Sequence, residues 1–179
     1  MVLCDLLIRL AQRGLYRALW SREILAEVVT TILRRRPDLS IDLLRKRTAA
    51  MQAALQDATV DGYESLVPAL HELGGDAHVA AAAVIGRADV IVTSNIRDFP
   101  ERILKRYGLS AQSPDDFLVQ HWWLDPVAVA EVVVQQARGT SRPPLTSDDI
   151  LTRLIFMAPA FVKLVRGSAE YRSALKSGA

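Results

Sequence analysis

The sequence predicts an α/β fold class with a parallel sheet and a helical extension after it, and three observations carry that reading. An alanine-rich helix beginning at Asp76 and running through Ile85 is followed almost at once by Asp89-Val90-Ile91-Val92-Thr93, a short β-branched apolar strand. A helix that feeds a fully buried strand is the second half of a β-α-β unit, so the sheet should be parallel. From Ser113 to the end the pattern is helical throughout, and 179 residues suffice for one well-buried core with a helical tail.

In chain order, Leu3, Leu6, Leu7 and Leu10 recur at helical spacing, and Gly14 supplies a stop, which predicts a first helix over residues 2–13. Ser21 is a good N-cap for a second helix with the stripe Ile24, Leu25, Val28, Val29, Ile32 and Leu33, ended by Pro37. Ser40 opens a third, through Ile41, Leu44, Met51 and Leu55. A short strand is expected at Ala58–Val60, then a helical turn at Pro68–Leu73 broken by Gly74-Gly75. Gly86 stops the alanine-rich helix before the strand. A helix over residues 100–107 and an edge strand over residues 108–112 should follow. Ser113-Pro114-Asp115-Asp116 is a helix start with cap, first-position proline and two carboxylates in the first turn. Asp125-Pro126 begins a helix to about Arg138, Thr140–Leu145 is a polar turn, and Thr146–Leu154 is helical. Residues 156–179 continue as helix and fray from Lys176.

Composition excludes some classes. The chain is 50% apolar, with a mean hydropathy of +0.15, but no apolar run approaches the roughly 20 residues that a membrane span needs. Asp5 and Arg9 interrupt the first ten residues, which lack the signature of a secretory signal. A single cysteine, Cys4, cannot form an internal disulfide and reads as a small buried hydrophobe. Together these predict a cytoplasmic protein without a membrane partner. A net charge of +2 permits nucleic-acid binding without arguing for it, and Arg34-Arg35-Arg36 reads as a solvated helix terminus.

The candidate chemistry is acidic. Glu27 on the second helix, Asp76 at the start of its helix, and Asn95 with Asp98 after the apolar strand could build a metal site. Ligand sites in open parallel sheets lie at the carboxyl ends of strands, where Thr93–Asp98 falls. Hydrolysis of a phosphodiester calls for Mg²⁺ or Mn²⁺, hard ions that prefer oxygen ligands. Each residue also has a plainer role: a solvated glutamate for Glu27, a helix N-cap for Asp76, turn formers for Asn95 and Asp98. His78 fits a partly buried helix-start histidine donating a hydrogen bond better than a general base. Trp122-Trp123 beside His121 fits packing better than base stacking.

Three stretches carry a resemblance: Leu19-Trp20-Ser21-Arg22-Glu23-Ile24-Leu25-Ala26-Glu27-Val28, Asp76-Ala77-His78-Val79-Ala80-Ala81-Ala82, and Asp89 through Pro100. In order and spacing they resemble the PIN-domain ribonucleases, specifically the VapC-like toxins of type II toxin-antitoxin pairs. The likeness covers residues 1–118, read as an N-terminally incomplete PIN-like domain; residues 119–179 resemble a helical C-terminal extension carried by one branch of the family. It implies a PIN-like three-layer fold with a central parallel sheet. By this likeness Glu27 takes the second acidic position, Asp76 the third and the Thr93–Asp98 turn the fourth. Catalytic roles are implied for Glu27, Asp76, Asn95 and Asp98, and metal ligation for Asp76, Glu27 and Asp98. The implied activity is a Mg²⁺-dependent (or Mn²⁺-dependent) endoribonuclease acting on RNA, with a small antitoxin partner and homodimerisation through the early helices.

Two departures qualify the likeness. The family opens with an apolar strand ending in aspartate before the first helix, whereas Met1 already lies in that helix; Asp5, inside the helix, is no substitute. The expectation is a start too late by roughly ten to fifteen residues, the length of a strand and its turn. Asn95 stands where many members have aspartate, and Asp98 or a water positioned by the amide would compensate. The alternative is a catalytically degenerate or truncated PIN-like domain acting only in antitoxin binding; a DNA nuclease is the third option.

Overall fold

The computed structural model of the chain describes residues 2–141 and 143–178. Arg142, inside the predicted Thr140–Leu145 turn, lies outside the described residues, as do Met1 and Ala179 at the predicted helical ends. The helices are α1 (Val2–Gln12), α2 (Arg22–Arg35), α3 (Ile41–Ala54), α4 (Ala77–Ile85), α5 (Glu101–Leu104), α6 (Pro114–Leu124), α7 (Pro126–Arg138), α8 (Ser147–Leu154), α9 (Pro159–Gly167) and α10 (Ala169–Ser177). The strands are β1 (Val90–Val92) and β2 (Ser110–Gln112). Mostly helical, with these two strands paired in a small parallel sheet, the chain has the mixed class its sequence predicts. None of the described helices is long and apolar enough to cross a membrane.

Two compact units divide the chain, one made of the residues up to Tyr16 with those from Gln112 onward, the other of Arg17–Ala111. The first unit is helical. Leu6 and Leu10 of α1 share a core with Val129 and Val133 of α7, Ile150, Leu151 and Leu154 of α8, and Phe161 of α9. Gln136 Nε2 donates to the Val2 carbonyl at 2.9 Å, which ties the start of α1 to α7. Helix starts here follow their sequence signals: Ser113 accepts from Asp116 N, Asp125 from Ala128 N, and Thr146 with Asp149 forms a reciprocal capping box. Helix α9 has no side-chain cap of its own, and its free N–H groups are met from another helix. Asp115 of α6 accepts from Ala160 N at 3.1 Å and Phe161 N at 2.9 Å. Trp122 is buried in this core, as packing predicts, while Trp123 is exposed. Cys4 is only half-buried, because it faces away from the line of Leu6 and Leu10. Fraying from Lys176 does not occur: α10 continues to Ser177, and Gly178 in the left-handed region closes it.

In the second unit, Ser21 and Ser40 cap α2 and α3 as predicted. The strand expected at Ala58–Val60 is reduced to one parallel bridge between Trp20 and Thr59. Its reason is local, because Gln56–Ala58 is a 3₁₀ turn and only Trp20 N to Ala58 O and Val60 N to Trp20 O, both 2.9 Å, are made. The turn predicted at Pro68–Leu73 is part of a longer 3₁₀ segment, Glu64–Asp76, kinked at Gly74 (φ 55°). The helix predicted over residues 100–107 splits into α5 and a 3₁₀ turn, Lys105–Tyr107, ended by Gly108 at φ 71°. Helix α4 has almost no polar face, and Ala80, Ala81 and Ala82 pack into a core with Ile91, Phe99, Ile103 and Leu109.

Small residues let α4 approach its neighbours closely, and Gly86 at its C-terminus marks the tightest place. A Cβ there would lie 2.9 Å from Leu19 Cδ1 and 2.9 Å from Val60 Cγ2. The Gly86 carbonyl also accepts from the Arg17 guanidinium. Gly86 is therefore both the predicted stop and the seat that fixes the height of α4.

Candidate functional site

Asp76 stands at the N-terminal end of α4, where the sequence predicts a cap, but its carboxylate makes no capping hydrogen bond. Its backbone explains why: at φ −87° and ψ 2° Asp76 is not extended as an N-cap residue is when its side chain reaches the N–H groups of the first turn. The half-buried carboxylate is left to its electrostatic surroundings. Burial raises its pKa above the ordinary aspartate value; repulsion from Asp98 and then Glu27 adds to the rise, and His78 offsets part of it. Three carboxylates from α2, the start of α4 and the turn after β1 thus share one field.

That turn is ordered by its own main chain. Asn95 N donates to Thr93 Oγ1 at 3.0 Å and Asp98 N to the Asn95 carbonyl at 3.0 Å, which closes a 3₁₀ turn over Ile96–Asp98. Asn95 and Asp98 are exposed, with Phe99 buried just behind them. Asn95 is a turn former in its backbone and sits beside Asp98 in the chain. The structure brings Asp98 and Glu27 each within electrostatic reach of Asp76, and it attaches Asn95 to the same turn as Asp98.

His78 is not the half-buried donor that the sequence suggests. Its side chain is 7% exposed, with Nε2 3.2 Å from Glu27 Oε1 and Nδ1 3.6 Å from Glu23 Oε2. Both approaches fall within ion-pair distance, yet neither ring nitrogen has a partner at hydrogen-bond geometry. The Nε2 contact is short enough, so its misfit is angular. A buried polar group without a partner costs about 1–3 kcal/mol. Beyond it, Tyr63 donates its hydroxyl to Glu23 Oε2 at 3.0 Å. A hydrogen bond with Ser21 lowers the Tyr63 pKa, but burial and the bond to Glu23 outweigh it and the net shift is upward.

Glu23 and Tyr63 escape a reading of the sequence. Glu23 lies one helical turn before Glu27 on the same face of α2, a signal that could have been used. Nothing local marks Tyr63, which meets α2 across 40 residues of chain. Of the cationic side chains near the turn, Arg97 is exposed, and Arg102 is held with Arg106 on Glu72, at 2.9 and 2.7 Å.

The donors suit a hard divalent cation in kind, being anionic oxygens whose mutual repulsion such an ion relieves. As placed, no three His, Cys, Asp or Glu side chains among the described residues converge tightly enough to hold a metal by themselves. One or two carboxylates with water and a substrate phosphate are an ordinary Mg²⁺ arrangement, so the set fits that ion rather than a closed protein cage.

Comparison with known proteins agrees with the class. Residues 114–167 match the family of the VapC50 C-terminal domain, from the first residue of α6 to the last of α9. In that stretch the chain is similar to the VapC50 C-terminal domain. It is 38% identical over 112 residues to "Putative ribonuclease VapC50" of Mycobacterium tuberculosis; that stretch is 63% of this chain and 66%, just under two thirds, of the relative. No solved structure matches the chain.

Proposed function

We propose that the chain is a Mg²⁺-dependent (or Mn²⁺-dependent) endoribonuclease, the toxin of a toxin-antitoxin pair, with RNA as substrate and a small antitoxin as partner. The observation that carries this reading is the Asp76 carboxylate, withheld from capping and held in a shared field with Glu27 and Asp98. Likeness to a relative named as a ribonuclease supports the substrate class. In this reading Asp76 and Asp98 hold the ion, Glu27 helps coordinate it or orients the attacking water, and Asn95 positions a water through its amide. The bound ion supplies a lowered pKa for water and neutralises charge on the phosphoryl oxygens. Arg97, exposed beside the turn, receives the phosphate backbone.

The reading includes a PIN-like three-layer fold over residues 1–118, with the Trp20–Thr59 pair and the β1–β2 pair as parts of one central sheet, and an extension over residues 119–179. It includes homodimerisation through the early helices and a cytoplasmic location. Cleavage of RNA in Mg²⁺, its loss in EDTA and its loss in Asp76→Ala are the expected results. Full cleavage by Asp76→Ala would end the assignment.

One observation favours a second reading, a non-cutting domain that only binds antitoxin. No three ligand side chains converge among the described residues, and Asn95 stands where an acid is expected. The same assay separates them, because that domain binds antitoxin and leaves RNA intact in every metal.

A further inference from the structure

We infer that His78 is a positioning residue, the middle of a relay Tyr63–Glu23–His78–Glu27 that holds the Glu27 carboxylate toward Asp76 and Asp98. Three observations carry it. The imidazole is more than nine-tenths buried, and both of its nitrogens lack a partner of hydrogen-bond geometry. Each nitrogen nevertheless lies close to one glutamate of the same helix face, Nε2 to Glu27 (3.2 Å) and Nδ1 to Glu23 (3.6 Å). The far glutamate is anchored in turn, because Tyr63, itself buried, donates its hydroxyl to the same Glu23 oxygen that faces the ring.

Glu23 and Glu27 are one turn apart on α2 and more than half exposed, so unrestrained they would spread apart into water. A ring with a proton on each nitrogen, set between them, opposes that spreading and gives Glu27 one preferred direction. His78 lies two residues after Asp76 on α4, so the segment that presents Asp76 also sets the orientation of Glu27. Partners that orient a ligating side chain are worth about 10–100-fold in metal affinity when removed. His78 need touch neither substrate nor metal for this.

The metal part rests on the proposed function; the relay itself does not, and the experiment has an arm for each. In the metal-free full chain at one pH, the ring nitrogens of His78 are followed by ¹H–¹⁵N long-range NMR. Glu27→Gln is expected to move the Nε2 resonance, and Tyr63→Phe, which keeps the ring volume, to move Nδ1 through Glu23. Ring resonances unchanged in Glu27→Gln would overturn the relay. In the second arm Mn²⁺ binding is read by EPR of the free ion: His78→Ala should weaken it about 10–100-fold, and His78→Gln, which keeps a polar end near the Nε2 position, should recover most of the loss. Wild-type affinity in a folded His78→Ala would overturn the positioning role. Should His78→Ala not fold, Tyr63→Phe decides the second arm, with weakened Mn²⁺ binding in support and unchanged binding against. Ring resonances that respond as expected in a chain that binds no Mn²⁺ would remove the metal from the proposed function and leave the relay standing.

Discussion

Replacing Gly86 by alanine tests how α4, which presents Asp76 and His78, is seated. The new methyl would stand 2.9 Å from a Leu19 methyl and 2.9 Å from a Val60 methyl, and 3.0 Å from the Ala82 carbonyl oxygen. Carbon atoms in contact sit about 3.5–4.0 Å apart, so each methyl must give by more than half an ångström or α4 must lift. Val60 is buried and Leu19 half-buried, which limits the first route. Overpacking of this kind costs about 1–3 kcal/mol. The backbone at Gly86 has φ −71°, which alanine adopts freely, so the unfolded chain's lost freedom returns about 0.4–1 kcal/mol. A net loss of roughly 1–2 kcal/mol follows, or about 2–8 °C in Tm for a chain of this size. Urea unfolding followed by circular dichroism reads it as a lower midpoint at unchanged slope. Gly86→Ala as stable as the parent would refute the claim that close approach, rather than helix termination, fixes this glycine.

Other expectations follow from the same geometry. Asp115→Ala removes the only side-chain acceptor found at the start of α9 among the described residues and should cost about 0.5–2 kcal/mol, read by thermal unfolding. Trp122→Ala should cost about 3–5 kcal/mol because its ring is in the helical core, whereas Trp123→Ala should change stability by under about 0.5 kcal/mol; equal losses would contradict that packing. Glu72 has its pKa lowered by hydrogen bonds from Arg102 and Arg106, so its contribution is present above the unfolded carboxylate pKa and fades as pH falls through the folded one. A carboxyl NMR titration should place it below ordinary glutamate, and Arg102→Ala with Arg106→Ala should bring it back. Asp76 has the opposite sign. With its folded pKa raised, the native state holds its proton longer, so stability falls as pH rises through that window, and Asp76→Asn should flatten the slope.

Where chain-local chemistry decides structure, the sequence was readable. Ser21 and Ser113 cap the helices they were expected to cap, and Ser40, Asp125 and Thr146 cap where helix starts were expected, because a cap needs only its own next three residues. Asp76 shows the limit of that logic: it has a cap's identity and position, but its backbone, at φ −87° and ψ 2°, is not the extended one that capping needs. The predicted strand at Ala58–Val60 shrank to a bridge for a similar reason, its first residue being taken up by a turn. Tertiary placement was harder to read. Asp115 has the sequence of an ordinary first-turn acid on α6, and its service to α9 spans 46 residues. At the candidate site the three carboxylates could be picked out singly, while the Tyr63–Glu23–His78 contacts that surround Glu27 depend on which faces meet.

In the proposed function Glu27, Asp76 and Asp98 act as one electrostatic site for a divalent ion. Paramagnetic broadening by substoichiometric Mn²⁺ in the ¹H–¹⁵N spectrum tests it most directly. The amides of Asp76, Ala77, Asp98 and Glu27 should fade first, and excess Mg²⁺ should restore them. Broadening centred on another acidic surface, such as Asp148 and Asp149 of α8, or uniform broadening without Mg²⁺ competition, would contradict it.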